Sequence, residues 1–397
     1  MGSTRSGALD GVRVVDVTQV MAGPFCTMLL ADLGADVIKI EPPAGDMTRR
    51  MPGGVGMDTP AYNAVNRGKR SVVLDLKSRA GRDAVARLAA SADIFAENSR
   101  PGVMADLGLG YSALAARNPR LIYASISGYG QTGPDRSKGG LDLIAQGVSG
   151  IMSVTGESEG RPVKSGVPLT DLGAALFAVV GILAALAHRN RTGAGQHVET
   201  SLVEAGVALS VWEATEYFAG VGVPGPLGSA HRMVAPYQAI QCADGFVTIG
   251  ASNDRLFGQL CEALEYPEWA RLPEFADNPS RVRNRAALAE RIESVTRHRS
   301  KRDWLDAFAA RDIPSGPLNR YDEVFADPQI VAREMVVDVS HPTLGHMRAL
   351  GSPIKLSATP AMARRRAPQL GEHTEQILRD AGFAEAEISQ LLAQSAP

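Results

Sequence analysis

The sequence predicts an α/β protein: a doubly wound, mostly parallel sheet followed by a smaller α+β domain. Three observations carry this. Short β-branched runs alternate with helical stretches through the first half. Tight glycine turns separate them, and a Gly/Pro-rich break from Gly220 to Gly228 precedes a change of texture.

Val12 to Val17 is a β-branched run opened by Gly11, the pattern of a buried parallel strand. A helix follows from about Pro24 to Leu33, with Gly34 where a C-terminal cap belongs. Asp36 to Ile40 is a second strand, stopped by Glu41-Pro42-Pro43. The rhythm repeats with strands at Ser71–Leu76, Asp93–Asn98 and Leu121–Ile126 and helices at Arg79–Ser91 and Tyr111–Asn118. Such sheets bind ligands outside the carboxyl ends of their strands. Past the break, Tyr237 to Gly250 reads as two strands around Ala243-Asp244-Gly245. Helices with an arginine-rich polar face run from Asp254 to about Ala310, and the chain returns to the main sheet near Pro353. The tail from Glu372 to Leu392 is helical and packs on a partner or on the large domain. The domains expected are 1–220, 221–335 and a return over 336–397.

Composition narrows the function. With 45% hydrophobic and 21% charged residues the chain is an ordinary globular protein. Its net charge of −2 excludes a polyelectrolyte partner such as nucleic acid. Cys26, Cys242 and Cys261 are scattered, so neither a disulfide framework nor a zinc site is expected, and a reducing, cytoplasmic setting fits. The apolar run Leu172–Ala187 falls short of the ~20 residues a membrane span needs and reads as a buried helix. No signal peptide is visible, and Met1 to Ser6 matches the myristoylation pattern only loosely.

Asp171 ends the segment Gly166–Asp171 and lies in the first turn of that apolar helix, where the dipole favours a carboxylate. Such a residue is either a helix cap or a nucleophile. Asn98 to Gly102 and Ala22-Gly23-Pro24 follow strands directly, placing polar groups and free amides at the sheet's ligand edge. For one loop alone, turn chemistry explains this; several converging loops suggest a site. Neither GxGxxG nor a GxxxxGK[ST] loop is present, which argues against a nicotinamide-dependent dehydrogenase. Asn66 to Arg70 is a basic cluster, either solvated or facing phosphates.

Several blocks, in order, resemble the family III CoA-transferases: Asp10–Asp16 with Ala22-Gly23-Pro24, Ala31–Pro42, Asn66–Lys77, Glu97–Gly102, Asn118–Tyr123 and Gly128–Pro134. The resemblance implies a Rossmann-like large domain plus a small α+β domain, in an interlocked homodimer. It implies that Asp171 is the nucleophile, carrying CoA between carboxylic acids through a mixed anhydride and an aspartyl-CoA thioester. Coenzyme A contacts would fall on Val20, Ala22, Leu74, Lys77, Asn98, Ser99 and Arg100, with Lys138 one position from a ligand-touching lysine of the family. Coenzyme A or acyl-CoA enters as substrate, with no tightly bound cofactor and no metal. His231 and Arg232 would grip a second carboxylate, as in succinyl-CoA and short dicarboxylates, or else sit in a solvated loop.

Departures from the family pattern matter too. Ser99 stands where many members carry an aromatic residue, and Pro42 where some have a phosphate-contacting arginine. Arg49, Arg67, Arg70 and Lys77 are then the candidates to meet the phosphates. Leu141 stands where the related α-methylacyl-CoA racemases place a histidine, and leucine exchanges no proton. A racemase or other CoA-ester isomerase is thereby disfavoured; a non-catalytic CoA-binding protein is the other alternative.

Overall fold

The computed structural model describes residues 7–394 and resolves into two compact units. The Met1–Ser6 myristoylation pattern lies outside the described residues. The larger unit holds residues up to 151, 164–218 and those from 328 onward; the smaller holds 152–163 and 219–327.

The large unit begins with β1 (Arg13–Asp16), α1 (Ala22–Asp32), β2 (Asp36–Glu41), α2 (Pro60–Asn66) and β3 (Arg70–Val73). It continues with α3 (Arg79–Ala90), β4 (Ile94–Glu97), α4 (Val103–Asp106), α5 (Tyr111–Arg117), β5 (Ile122–Ser127) and α6 (Asp142–Val148). Then come α7 (Leu169–Thr192), β6 (His197–Ser201), α8 (Leu202–Leu209) and α9 (Val211–Phe218). All six strands are parallel, in the order β3-β2-β1-β4-β5-β6. The chain runs one way from β1 to β3 and then crosses back to β4, so the topological switch point falls between β1 and β4. A crevice opens there, outside the strand carboxyl ends.

Register follows from two-sided burial. Val15 lies between Ile38 and Phe95, and Phe95 pairs with Tyr123. One sheet face packs on α1, α7 and α8 through residues such as Leu30, Ala178 and Ile182. The other packs on α3 and on the C-terminal tail through Val85, Leu88, Ile377 and Leu391. Gly34 ends α1 at φ +109, a left-handed turn that carries the chain into β2.

The apolar helix is longer than its sequence suggested. α7 spans 24 residues, long and apolar enough to cross a membrane by length and composition alone. In the structure Ala174, Ala178, Ile182 and Ala185 are fully buried in the core, so its apolar character serves packing on that side.

The small unit contains β7 (Tyr237–Cys242), β8 (Gly245–Gly250), α10 (Asp254–Ala263), α11 (Asn278–Arg283), α12 (Arg285–Thr296), α13 (Lys301–Ala309), β9 (Ser315–Pro317) and α14 (Tyr321–Val324). Its three strands form an antiparallel sheet around a core of Phe257, Leu260, Trp304 and Phe308. The chain then re-enters the large unit with α15 (Pro328–Ala332), the hairpin β10 (Val336–His341) and β11 (Gly345–Leu350), and the tail helices α16 (Thr374–Asp380) and α17 (Glu385–Gln394).

Candidate active site

Three strand ends and one helix start converge on a cleft of about 730 Å³, all within the large unit. The end of β1 supplies Val17, Gln19, Val20, Met21 and Ala22; the end of β4 supplies Asn98 to Pro101. From β5 come Ile126, Ser127 and Gly128, and the loop before α6 adds Lys138 to Leu141. Asp142 of α6 and Asp171 of α7 complete one wall. The volume suits a small-molecule ligand.

Asp171 sits at the third position of α7 yet caps nothing. The cap is provided from α6: Asp142 Oδ1 accepts the Thr170 amide at 3.0 Å and the Thr170 hydroxyl at 2.8 Å. Asp142 Oδ2 meanwhile accepts from Gln146 at 2.8 Å, and Gln146 Oε1 accepts the Ser165 amide. Among the described residues, no group donates a hydrogen bond to the Asp171 carboxylate and no cation pairs with it. Burial, with the Asp142 charge as the smaller cause, pushes its carboxyl up to about 6. A partly desolvated carboxylate that stays ionised above that pH is a stronger nucleophile than an ordinary one.

The basic groups divide sharply. Arg100 is exposed on the cleft rim, its guanidinium beside Gly139. Lys138 is also on the rim, paired with Asp135 at 2.9 Å in the open. Three arginines considered for phosphate contact are instead held by carboxylates of the chain itself. Arg49 is fully buried in a two-pronged pair with Glu41, at 2.7 and 2.8 Å. Arg67 pairs with Asp32 at 2.6 Å, and Arg70 with Asp36 at 2.5 Å. Lys69 of the same cluster is buried on Asp16 at 3.0 Å. Two-pronged guanidinium–carboxylate pairs use the geometry a phosphate would need, so this cluster is a structural core.

Among the residues expected to contact coenzyme A, the structure brings Val20, Ala22, Asn98, Ser99, Arg100 and Lys138 together around Asp171. Leu74 and Lys77 are not in the cleft wall: Leu74 is fully buried in the core beneath α3, and Lys77 lies in the loop after β3. His231 and Arg232 belong to the small unit. His231 Nδ1 accepts the Met233 amide at 3.1 Å and its ring meets Tyr237 at 5.1 Å; Arg232 donates to the Gly225 carbonyl at 2.7 Å.

Sequence reasoning missed Met47, Ile126, Ser127, Gly128 and Leu202 as wall residues. Gly128 carried a signal, since it follows a strand. A Cβ there would lie 2.5 Å from the Gly140 Cα, so only glycine lets the two loops touch. Leu141 is an exposed cleft residue and offers no proton to a substrate carbon.

The model of CoA-transferase family III matches residues 9–374. The chain belongs to CoA-transferase family III. It is 39% identical to the succinate–glutarate CoA-transferase of Agrobacterium fabrum, over 95% of this chain and 96% of that one. It is 42% identical to the succinyl-CoA:mesaconate CoA-transferase of Haloarcula hispanica, over 95% and 97%. A crystal structure of a CAIB/BAIF family protein from Brucella suis superposes with a TM-score of 0.85 at 40% identity, covering 95% of this chain and all of that one. As a family III enzyme the protein transfers coenzyme A between carboxylic acids, with a CoA thioester as substrate. Among the described residues no group of His, Cys, Asp and Glu could hold a metal ion.

Proposed function

We propose that Asp171 is the nucleophile of a transferase taking CoA from succinyl-CoA to a short dicarboxylic acid. The observation that carries this is a cleft-facing carboxylate with no hydrogen-bond partner among the described residues, pushed up to about 6 at the switch point of the sheet. An oxygen of Asp171 attacks the thioester carbonyl; the C–S bond breaks, CoA leaves as thiolate, and a mixed anhydride remains. The thiolate then attacks the aspartyl carbonyl and the donor acid departs as carboxylate, leaving an aspartyl-CoA thioester. An incoming carboxylate reverses both steps, so atoms and charge balance without another reactant. Each tetrahedral stage develops an oxyanion. The first turn of α1, which no side chain caps, begins at Ala22 on the cleft wall and has amides to offer it.

Dicarboxylates are proposed because the similar enzymes are named for succinate, glutarate and mesaconate. An interlocked homodimer is proposed on the apolar surface of the large unit. Val180, Trp212 and Phe218 are 64%, 60% and 82% exposed, apolar side chains that a second copy would cover. Sedimentation of the protein as a monomer rejects this.

The mechanism is tested by trapping with hydroxylamine during turnover, followed by mass analysis of the peptide containing Asp171. A hydroxamate at Asp171, with no turnover in Asp171→Ala and Asp171→Asn, is expected. Substantial activity in Asp171→Ala sinks the covalent route.

A further inference from the structure

Lys39 is fully buried on β2 and takes no part in the exchange just described. Its ammonium donates to the Thr18 carbonyl at 2.9 Å and to Asp46 Oδ2 at 2.9 Å. The same Asp46 oxygen accepts the Val20 amide at 3.4 Å. Between them, the Gln19 amide donates to Asn98 Oδ1 at 2.8 Å, and Asn98 Nδ2 donates to the Gln19 carbonyl at 2.7 Å. Three consecutive residues, Thr18, Gln19 and Val20, the last two in the cleft wall, are thus held by their backbone, from β2, from the end of β4 and from the loop after β2.

Val20 is where this matters. Its φ is +70, a region that β-branched residues rarely enter. Such a conformation persists only when its surroundings over-determine it. Released, the valine would relax to negative φ and rotate the peptide planes on either side. Val20, Met21 and Ala22 all line the cleft, so the relaxation would reshape the wall that meets the ligand.

We infer that Lys39 and Asp46 are positioning residues for coenzyme A, acting through the left-handed backbone of Val20. Neither lines the cleft. The inference rests on the reading of this cleft as the CoA site.

Asp46→Asn in the full-length protein is the test, with CoA as the probe and its Kd measured by calorimetry. The asparagine keeps an oxygen for Thr48, which Asp46 Oδ1 now serves, but cannot keep an acceptor toward both Lys39 and Val20. Asp16 and Glu41 remain to balance the lysine charge. CoA affinity is expected to fall roughly tenfold, the scale of one strained residue released. In a Val20→Asn background the same substitution should change affinity less than about threefold, because asparagine tolerates the left-handed region without a clamp. Unchanged affinity in Asp46→Asn, or an equal loss when Asp46→Asn is added to Val20→Asn, overturns the inference. If Asp46→Asn yields no folded protein, Val20→Asn alone decides: released strain raises the melting midpoint, and a midpoint unchanged or lowered overturns it. Arg100→Glu combined with Lys138→Glu reports on the underlying reading separately. It reverses the charge of the cleft rim without touching the clamp, and full CoA binding by that variant rejects the cleft itself as the site.

Discussion

Asp142 accepts the amide of Thr170 at 3.0 Å and so places its own negative charge next to Asp171 at the start of α7. One carboxylate holds the helix so that the other is free to react. Burial is the larger cause of the raised Asp171 carboxyl and the Asp142 charge the smaller. Asp142→Asn keeps an oxygen for Thr170 but removes the charge. The acid limb of kcat/KM, expected near pH 6, should therefore move to lower pH while activity persists. An unmoved limb means that the charge is not felt at Asp171.

The same carboxylate should cost the fold stability. The folded protein holds the Asp171 proton more tightly than the unfolded chain does, about 6 against 3.8. Sign follows from linkage: stability from this group is complete below pH 3.8 and is lost as pH rises toward 6. At neutral pH the ionised form costs up to about 3 kcal/mol, reduced to about 1–2 kcal/mol by partial solvent screening. Asp171→Asn should thus be inactive yet melt higher at pH 7.5, with the gain disappearing near pH 4. Calorimetric scans at the two pH values check this; an equal gain at both points to packing as the cause.

What could be read from the chain and what could not has a physical pattern. The strand ends were legible because β1 and β4 are apolar runs followed at once by polar residues and glycine or proline. Cap and nucleophile could not be told apart at Asp171, since the group that caps α7 is Asp142, 28 residues before Thr170 on another helix. The basic cluster Asn66–Arg70 invited a phosphate because its partners Asp16, Asp32 and Asp36 lie on α1 and the neighbouring strands, distant in sequence. A left-handed valine at position 20 carries no local signal at all, because local preference opposes it.

Arg67 is a consequence of that pattern. Its guanidinium donates to both oxygens of Asp32, and both residues are buried. Arg67→Met leaves the buried aspartate without its ion-pair partner, at a cost of roughly 3–5 kcal/mol. Urea unfolding should show this loss, while CoA affinity of the folded fraction stays at its original value. A weaker CoA complex with normal stability would return Arg67 to the list of phosphate ligands.

Arg100 and Lys138 share the cleft rim but not their electrostatic freedom. Lys138 is already paired with Asp135 in open solvent, and exposed pairs of this kind contribute little. Arg100 has no carboxylate partner among the described residues, and it can meet a phosphate with a planar, two-pronged donor set. Arg100→Ala should weaken CoA roughly tenfold, the value of one charge-assisted contact. It should also flatten the dependence of Kd on salt, since the lost contact is ionic. Lys138→Ala should change affinity less than about threefold, within what an exposed ion pair is worth. Calorimetry at two ionic strengths separates the two residues, and the reverse order of effects would place the phosphates at the Lys138 end of the rim.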